Sequence, residues 1–222
     1  MIYLLSPTRY DGVESLSMIR FQTTVHSIDF SFADVLLFTS KQAVIATNQI
    51  SDKWKTLPCI AVGSATQEKI EALGGEVIHV PEKFYGEELA KDLINYFHDK
   101  RILYLRPQKT AFDIKRYIDA ELEAGSIKHV LFFEEIVYRT LCQNYSKSKK
   151  PPCNSIIIFT SPSTVKCFLN NFNWDESYRA VAIGKTTAKS LPKSCKYVIS
   201  EQPLITSCIK KAREIAENSD IC

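Results

Sequence analysis

A chain of 222 residues, 45% hydrophobic and 24% charged, has ordinary globular composition, enough for one large domain or two small ones. Its net charge of +3 is too mild to point to nucleic acid, and no apolar run approaches the ~20 residues that span a bilayer, so neither partner is expected. Seven dispersed cysteines without a CxxC, four dispersed histidines and an opening MIYLLSPTRYDG that lacks a basic-then-apolar leader predict reduced thiols, no metal site and a cytoplasmic protein.

In chain order, the apolar run IYLLS is followed by an irregular stretch. Short apolar segments then alternate with amphipathic ones: VLLFTS with KQAVIATNQI, CIAVG with SATQEKIEALGG, EVIHVP with GEELAKDLINYFHD, RILYLRP with TAFDIKRYIDAELEAG, and then a strand-like KHVLFFEEIVYRT. After KSKKPPCN the alternation resumes with SIIIFTS and PSTVKCFLNNF, AVAIG and KTTAKSLPKS, KYVIS and ITSCIKKAREIAEN. Strands of about four to six residues alternating with helices predict an α/β protein whose parallel sheets are flanked by helices. Gly74-Gly75 end one helix, and Pro151-Pro152 break the chain before its last third.

The chain repeats itself. Phe38-Thr39-Ser40 recurs as Phe159-Thr160-Ser161, 121 residues later, and the same offset carries Val44 onto Val165, Ala61 onto Ala182, Gly63 onto Gly184 and Thr66 onto Thr187. These identities cluster in two short motifs with no gap between them, which argues for an internal duplication. Two similar lobes follow: one discontinuous, residues 1–26 plus 143–222, the other residues 28–136. They are joined by a two-stranded connector at about 25–30 and 134–142. A cleft between lobes is the default ligand site.

Both motifs end a strand on a hydroxyl residue and begin a helix. Ser40 and Ser161 stand at helix starts, Pro162 fits a first helical turn, and Thr66 and Thr187 fall in first turns after Gly63 and Gly184, which are expected to permit tight turns. Capping is the ordinary explanation for each alone. Helix N-termini at the carboxyl ends of parallel strands also offer free N–H groups and partial positive charge to carboxylate or phosphate. Ser40, Ser64, Thr66, Ser161 and Thr187, with adjacent Lys41 and Lys185, are therefore candidate binders of a ligand with several anionic groups. The sequence contains no GxGxxG after a strand, no GxxxxGK[ST] and no GxSxG. Glu87-Glu88 and Glu134-Glu135 read as surface charges, and Arg106 as an exposed strand-end arginine.

DVLLFTSKQAV, CIAVGSATQEKIEALGGEVIHVP, ILYLRP, EEIVYRT, IIIFTSPSTV and AVAIGKTTAKSL, in this order, resemble the uroporphyrinogen-III synthase family over about 34–191. The resemblance implies a bilobal α/β enzyme acting on hydroxymethylbilane, a linear tetrapyrrole with acetate and propionate on every ring. Water is lost from the terminal hydroxyl and the macrocycle closes with ring D inverted through a spiro intermediate, without metal or organic cofactor. Tyr138 in VYRT matches the family's active-site tyrosine, which implies a general acid; on its residues alone it is an ordinary strand tyrosine. Leu5-Ser6-Pro7 stands where the family has Thr-Arg-Pro, so no arginine contact is implied there. Nothing in the sequence calls for an oligomer, and a monomer is expected. A non-catalytic two-lobed binding protein for an anionic small molecule is the alternative, because the same helix termini would serve it.

Overall fold

A computed structural model describes residues 1–83, 86–125 and 129–219; Cys222, one of the seven expected thiols, lies outside them. The chain divides into a terminal unit, Met1–Arg20 with Thr140–Cys222, and an inserted unit, Phe21–Arg139. It starts with the short strands β1 (Ile2–Leu4) and β2 (Glu14–Ser15) and enters the inserted unit through β3 (Ile19–Thr23). There β4 (Val35–Phe38), α1 (Lys41–Ile50), β5 (Pro58–Ala61), α2 (Ser64–Ala72), β6 (Glu76–His79), α3 (Gly86–Tyr96), β7 (Arg101–Pro107) and α4 (Ile114–Glu123) precede the long strand β8 (Leu131–Cys142), which carries the chain back. β9 (Ile156–Phe159), α5 (Pro162–Asn171), β10 (Arg179–Ala182), the single turn α6 (Lys185–Ala188), β11 (Lys196–Ile199) and α7 (Ile205–Ser219) complete the terminal unit.

β3 lies beside β8, and these two strands are the crossings between units. The first crossing thus falls ahead of the expected 25–30. Only Ile19 of its five residues is buried, so β3 carries no apolar alternation to mark it as a strand.

The inserted sheet has the order β3-β8-β7-β4-β5-β6, parallel from β8 through β6. The terminal sheet has the order β11-β10-β9-β1-β2 and is parallel throughout. Strand order reverses between β4 and β7 in one sheet and between β1 and β9 in the other. Ligands of doubly wound folds bind beyond the strand carboxyl ends at such reversals.

Central parallel strands are covered on both faces and need continuous apolar sequence, which β4 (VLLF) and β9 (IIIF) supply; every residue of both is buried. Alternate residues serve opposite faces. Leu36 and Phe38 pack with Ala43 and Val44 of α1, whereas Val35 and Leu37 pack with Leu89 and Leu93 of α3 and Ile114 and Ile118 of α4. In the terminal unit Ile157 and Phe159 meet Val165 and Phe168 of α5, whereas Ile156 and Ile158 meet Cys208, Ile209 and Ala212 of α7. The 121-residue offset carries β4 onto β9, α1 onto α5 and β5 onto β10 without a shift.

The duplication breaks at α6, one turn long where its counterpart α2 has nine residues. α2 closes on a glycine cap: Gly74 N–H donates to Glu71 O and Gly75 N–H to Ile70 O, both at 3.0 Å, with Gly74 at φ +88°. The chain after α6 runs instead into Leu191-Pro192, and a residue before proline is pushed out of the helical region.

The expectation that all cysteines are reduced fails at one pair. Cys142, the last residue of β8, is disulfide-bonded to Cys167 of α5, with the Cα atoms 5.2 Å apart. The partners lie 25 residues apart in sequence, and only the docking of α5 beside the end of β8 brings them within bonding reach. Cys59, Cys153, Cys195 and Cys208 are free.

Candidate functional site

The alternation of β4 continues past its end and sends two neighbouring hydroxyls to opposite faces of the inserted sheet. Ser40 turns to the α1 face. Its Oγ accepts the N–H of Ala43 at 3.1 Å, capping α1, and lies 3.1 Å from the hydroxyl of Tyr138 on β8. Thr39 turns to the other face, where its Oγ1 lies 2.7 Å from the hydroxyl of Tyr104 on β7. With the Ala43 N–H on one lone pair, Ser40 Oγ keeps a proton to give and a second lone pair, so either hydroxyl can donate in this contact; when the serine donates, the tyrosine's own proton is free to point outward.

Tyr138 is 6% exposed. Burial pushes its phenol above the usual value of about 10 and the Ser40 bond works in the opposite direction, so the group is protonated at neutral pH. Phe21 of β3 packs edge-on against its ring, with centroids 5.6 Å apart. Tyr104 is 1% exposed, and burial pushes its phenol up to about 12 against the opposing effect of the Thr39 bond.

Val62 N–H donates to Phe38 O at 3.0 Å and brings the carboxyl end of β5 beside that of β4. Ser64 is exposed in the first turn of α2, whereas Thr66 is turned inward and buried. Lys41, exposed at the start of α1, completes this group. A cavity of about 270 Å³ at the same sheet end is lined by Thr39, Val62, Tyr104, Pro107, Lys109 and Thr110, among others.

The terminal unit repeats the frame with different wiring. Ile183 N–H donates to Phe159 O at 3.0 Å, the counterpart of the Val62 bond. Ser161 Oγ accepts Thr164 N–H and Thr164 Oγ1 accepts Ser161 N–H, each at 3.2 Å, a reciprocal capping box with Pro162 behind it. Lys185 is exposed and Thr187 buried, in the single turn of α6. A four-residue helix has few aligned peptides, so the macrodipole expected there is small.

Gly63 and Gly184 do not fill the role expected of them. Both are extended, at φ 179° and −176°, a backbone conformation that any residue adopts. A Cβ at Gly184 would meet nothing within 4 Å, so the backbone there is open to close approach.

The structure therefore gathers Ser40, Lys41, Ser64, Thr66 and Tyr138 at the carboxyl end of one sheet, and Ser161, Lys185 and Thr187 at that of the other. Sequence reasoning missed the roles of Thr39 and Tyr104: the threonine lay inside the repeat and the tyrosine inside ILYLRP, but nothing local linked them. Arg106 corrects another expectation. It is half-buried, its Nε 2.9 Å from Oε1 of Glu134 on the neighbouring strand, rather than exposed. Among the described residues no group of three or more His, Cys, Asp or Glu could hold a metal ion, and no helix is long and apolar enough to cross a membrane.

Comparison with known proteins gives one consistent answer. The family model described as uroporphyrinogen-III synthase HemD matches residues 14–210. The crystal structure of uroporphyrinogen-III synthetase from Helicobacter pylori superposes with a TM-score of 0.79 at 25% identity, covering 96% of this chain and 98% of that one. A mutant uroporphyrinogen III synthase from Thermus thermophilus shares the fold, with a TM-score of 0.54 at 10% identity and 98% of both chains covered. No curated protein sequence matches.

Proposed function

The chain belongs to the uroporphyrinogen-III synthase family, cofactor-independent lyase-type enzymes of tetrapyrrole and haem biosynthesis, and from that premise we propose a reaction and the residues that carry it. The substrate is hydroxymethylbilane. The protein eliminates its terminal hydroxyl as water and closes the macrocycle with ring D inverted, giving uroporphyrinogen III. The observation that carries this reading is the Ser40–Tyr138 pair: a buried, protonated phenol beside a helix-capping serine at the strand carboxyl ends.

Tyr138 is the general acid. It donates to the departing hydroxyl, with Ser40 holding the phenolic oxygen from behind and steadying the charge that develops on it. Loss of water leaves a pyrrole-stabilised cation that would cyclise unaided without inversion. The protein's task is then orientation, holding ring D so that its substituted α-carbon attacks first. When the last pyrrole regains aromaticity it sheds one proton, equal to the one Tyr138 gave up, so the tyrosine is reset and the only by-product is water.

The substrate's carboxylates are held by Ser40, Ser64 and Lys41 with the first-turn N–H groups of α1 and α2, and by Ser161 and Lys185 with the open backbone at Gly184. Thr66 and Thr187, buried in their turns, support the backbone that makes these contacts. The protein acts as a monomer, without nucleic acid or membrane. The test is incubation with fresh hydroxymethylbilane and separation of the product isomers. The type III isomer is expected. A product mixture holding only the spontaneous type I isomer overturns the reading and leaves a binding protein.

A further inference from the structure

The duplication supplies an internal control for Tyr104. In the inserted unit Leu37 of β4 pairs with Tyr104 of β7; in the terminal unit its counterpart Ile158 of β9 pairs with Leu4 of β1. Leu4 thus occupies the place of Tyr104, fully buried, in a sheet with the same central strands and the same Phe-Thr-Ser ending. Packing at that place is satisfied by a hydrocarbon. The fold does not demand the hydroxyl of Tyr104, and Tyr104 has spent burial of a polar group on a single partner, Thr39.

That partner is covalently next to Ser40. The two residues point to opposite faces, and each meets a tyrosine on its own face. Holding Thr39 restrains the Thr39–Ser40 peptide and with it the direction of the Ser40 Cα–Cβ bond, from which the Ala43 N–H then holds Oγ. Hydrogen bonds to a reacting group lose effectiveness steeply with misalignment. Building on the catalytic role given to Tyr138 above, we infer that Tyr104 is a positioning residue for the reaction. Through Thr39 it aims Ser40, and through Ser40 it aims the acidic proton of Tyr138, without touching the substrate's reacting carbon.

The test is a set of conservative variants in the full chain. Tyr104→Phe and Thr39→Val should each lower kcat roughly tenfold with KM within about twofold, because an aligning bond matters in the transition state more than in the ground state. The double variant should lose little more than either single one, since the two hydroxyls act as one unit. Thr39→Ser, which keeps the hydroxyl, should stay near wild type. In the substrate-free protein the ring NMR signals of Tyr138 should move in Tyr104→Phe and Thr39→Val but not in Thr39→Ser. Unchanged kcat in Tyr104→Phe, fully additive losses, or a Tyr138 signal indifferent to both substitutions overturns the inference. Should Tyr104→Phe fold poorly, the Thr39→Val and Thr39→Ser pair decides alone. The NMR arm stands even if the wild type makes no type III isomer, whereas type III product with indifferent variants removes this inference and leaves the catalytic reading intact.

Discussion

Ser40 and Ser161 are written by the same motif and cap helices of ten residues each, yet their surroundings differ in kind. Around Ser40 the strand end meets two phenols, Tyr104 on β7 beside it and the buried Tyr138 on β8 one strand further. Around Ser161 the hydroxyl is absorbed by its own helix in a capping box, the place of Tyr104 is filled by Leu4, and the helix is fastened by the Cys142–Cys167 bridge. α1 also keeps the first-turn N–H that Pro162 denies α5. The two copies share the strand-to-helix scaffold, and only the first meets phenols from strands outside the repeated segment; the reaction proposed above assigns chemistry to that copy and grip to the other.

The largest expected effect tests this division directly. Tyr138→Phe keeps the ring and its packing against Phe21 but removes the donor, and should reduce kcat by about 10²–10⁴ with KM little altered. A rate equal to wild type would remove Tyr138 from the mechanism and with it the difference between the copies. Next comes the terminal unit's fastening. A bridge closing 25 residues of chain constrains the unfolded state by about 3 kcal/mol, so Cys142→Ser should lower Tm by roughly 6–12 °C. It should leave the Tyr138-dependent kcat almost untouched, measured on folded protein at low temperature; a collapse of kcat would show that the terminal unit also carries chemistry. The smallest and sharpest test compares serines. Ser40→Ala and Ser161→Ala each lose a helix cap and should cost a similar ~1 kcal/mol of stability in denaturant melts. Only the first should lower kcat, by about tenfold or more, whereas the second should raise KM a few-fold. Equal kinetic losses would mean that the copies work alike.

Where the fold was legible in the sequence, the reason was local. Continuous apolar runs marked the doubly covered strands β4 and β9, hydroxyl residues at strand ends marked the caps, and a constant offset marked the duplication. Each is a property of residues a few positions apart. The same locality hid β3, whose exposed residues lack a pattern, and overstated α6. KTTAKSLPKS reads as a helix until Pro192 is weighed against the missing glycine cap that ends α2.

The sequence by itself determined the helix caps at Ser40 and Ser161, because capping is written in four or five consecutive residues. Tertiary structure decided everything that depends on which strand lies next to which. It put Tyr104 under Thr39 across 65 residues, Tyr138 against Ser40 across 98, Glu134 on Arg106, and Cys142 beside Cys167. A hydrogen bond or a disulfide needs an approach of a few ångströms, and between distant segments only sheet order and packing supply it.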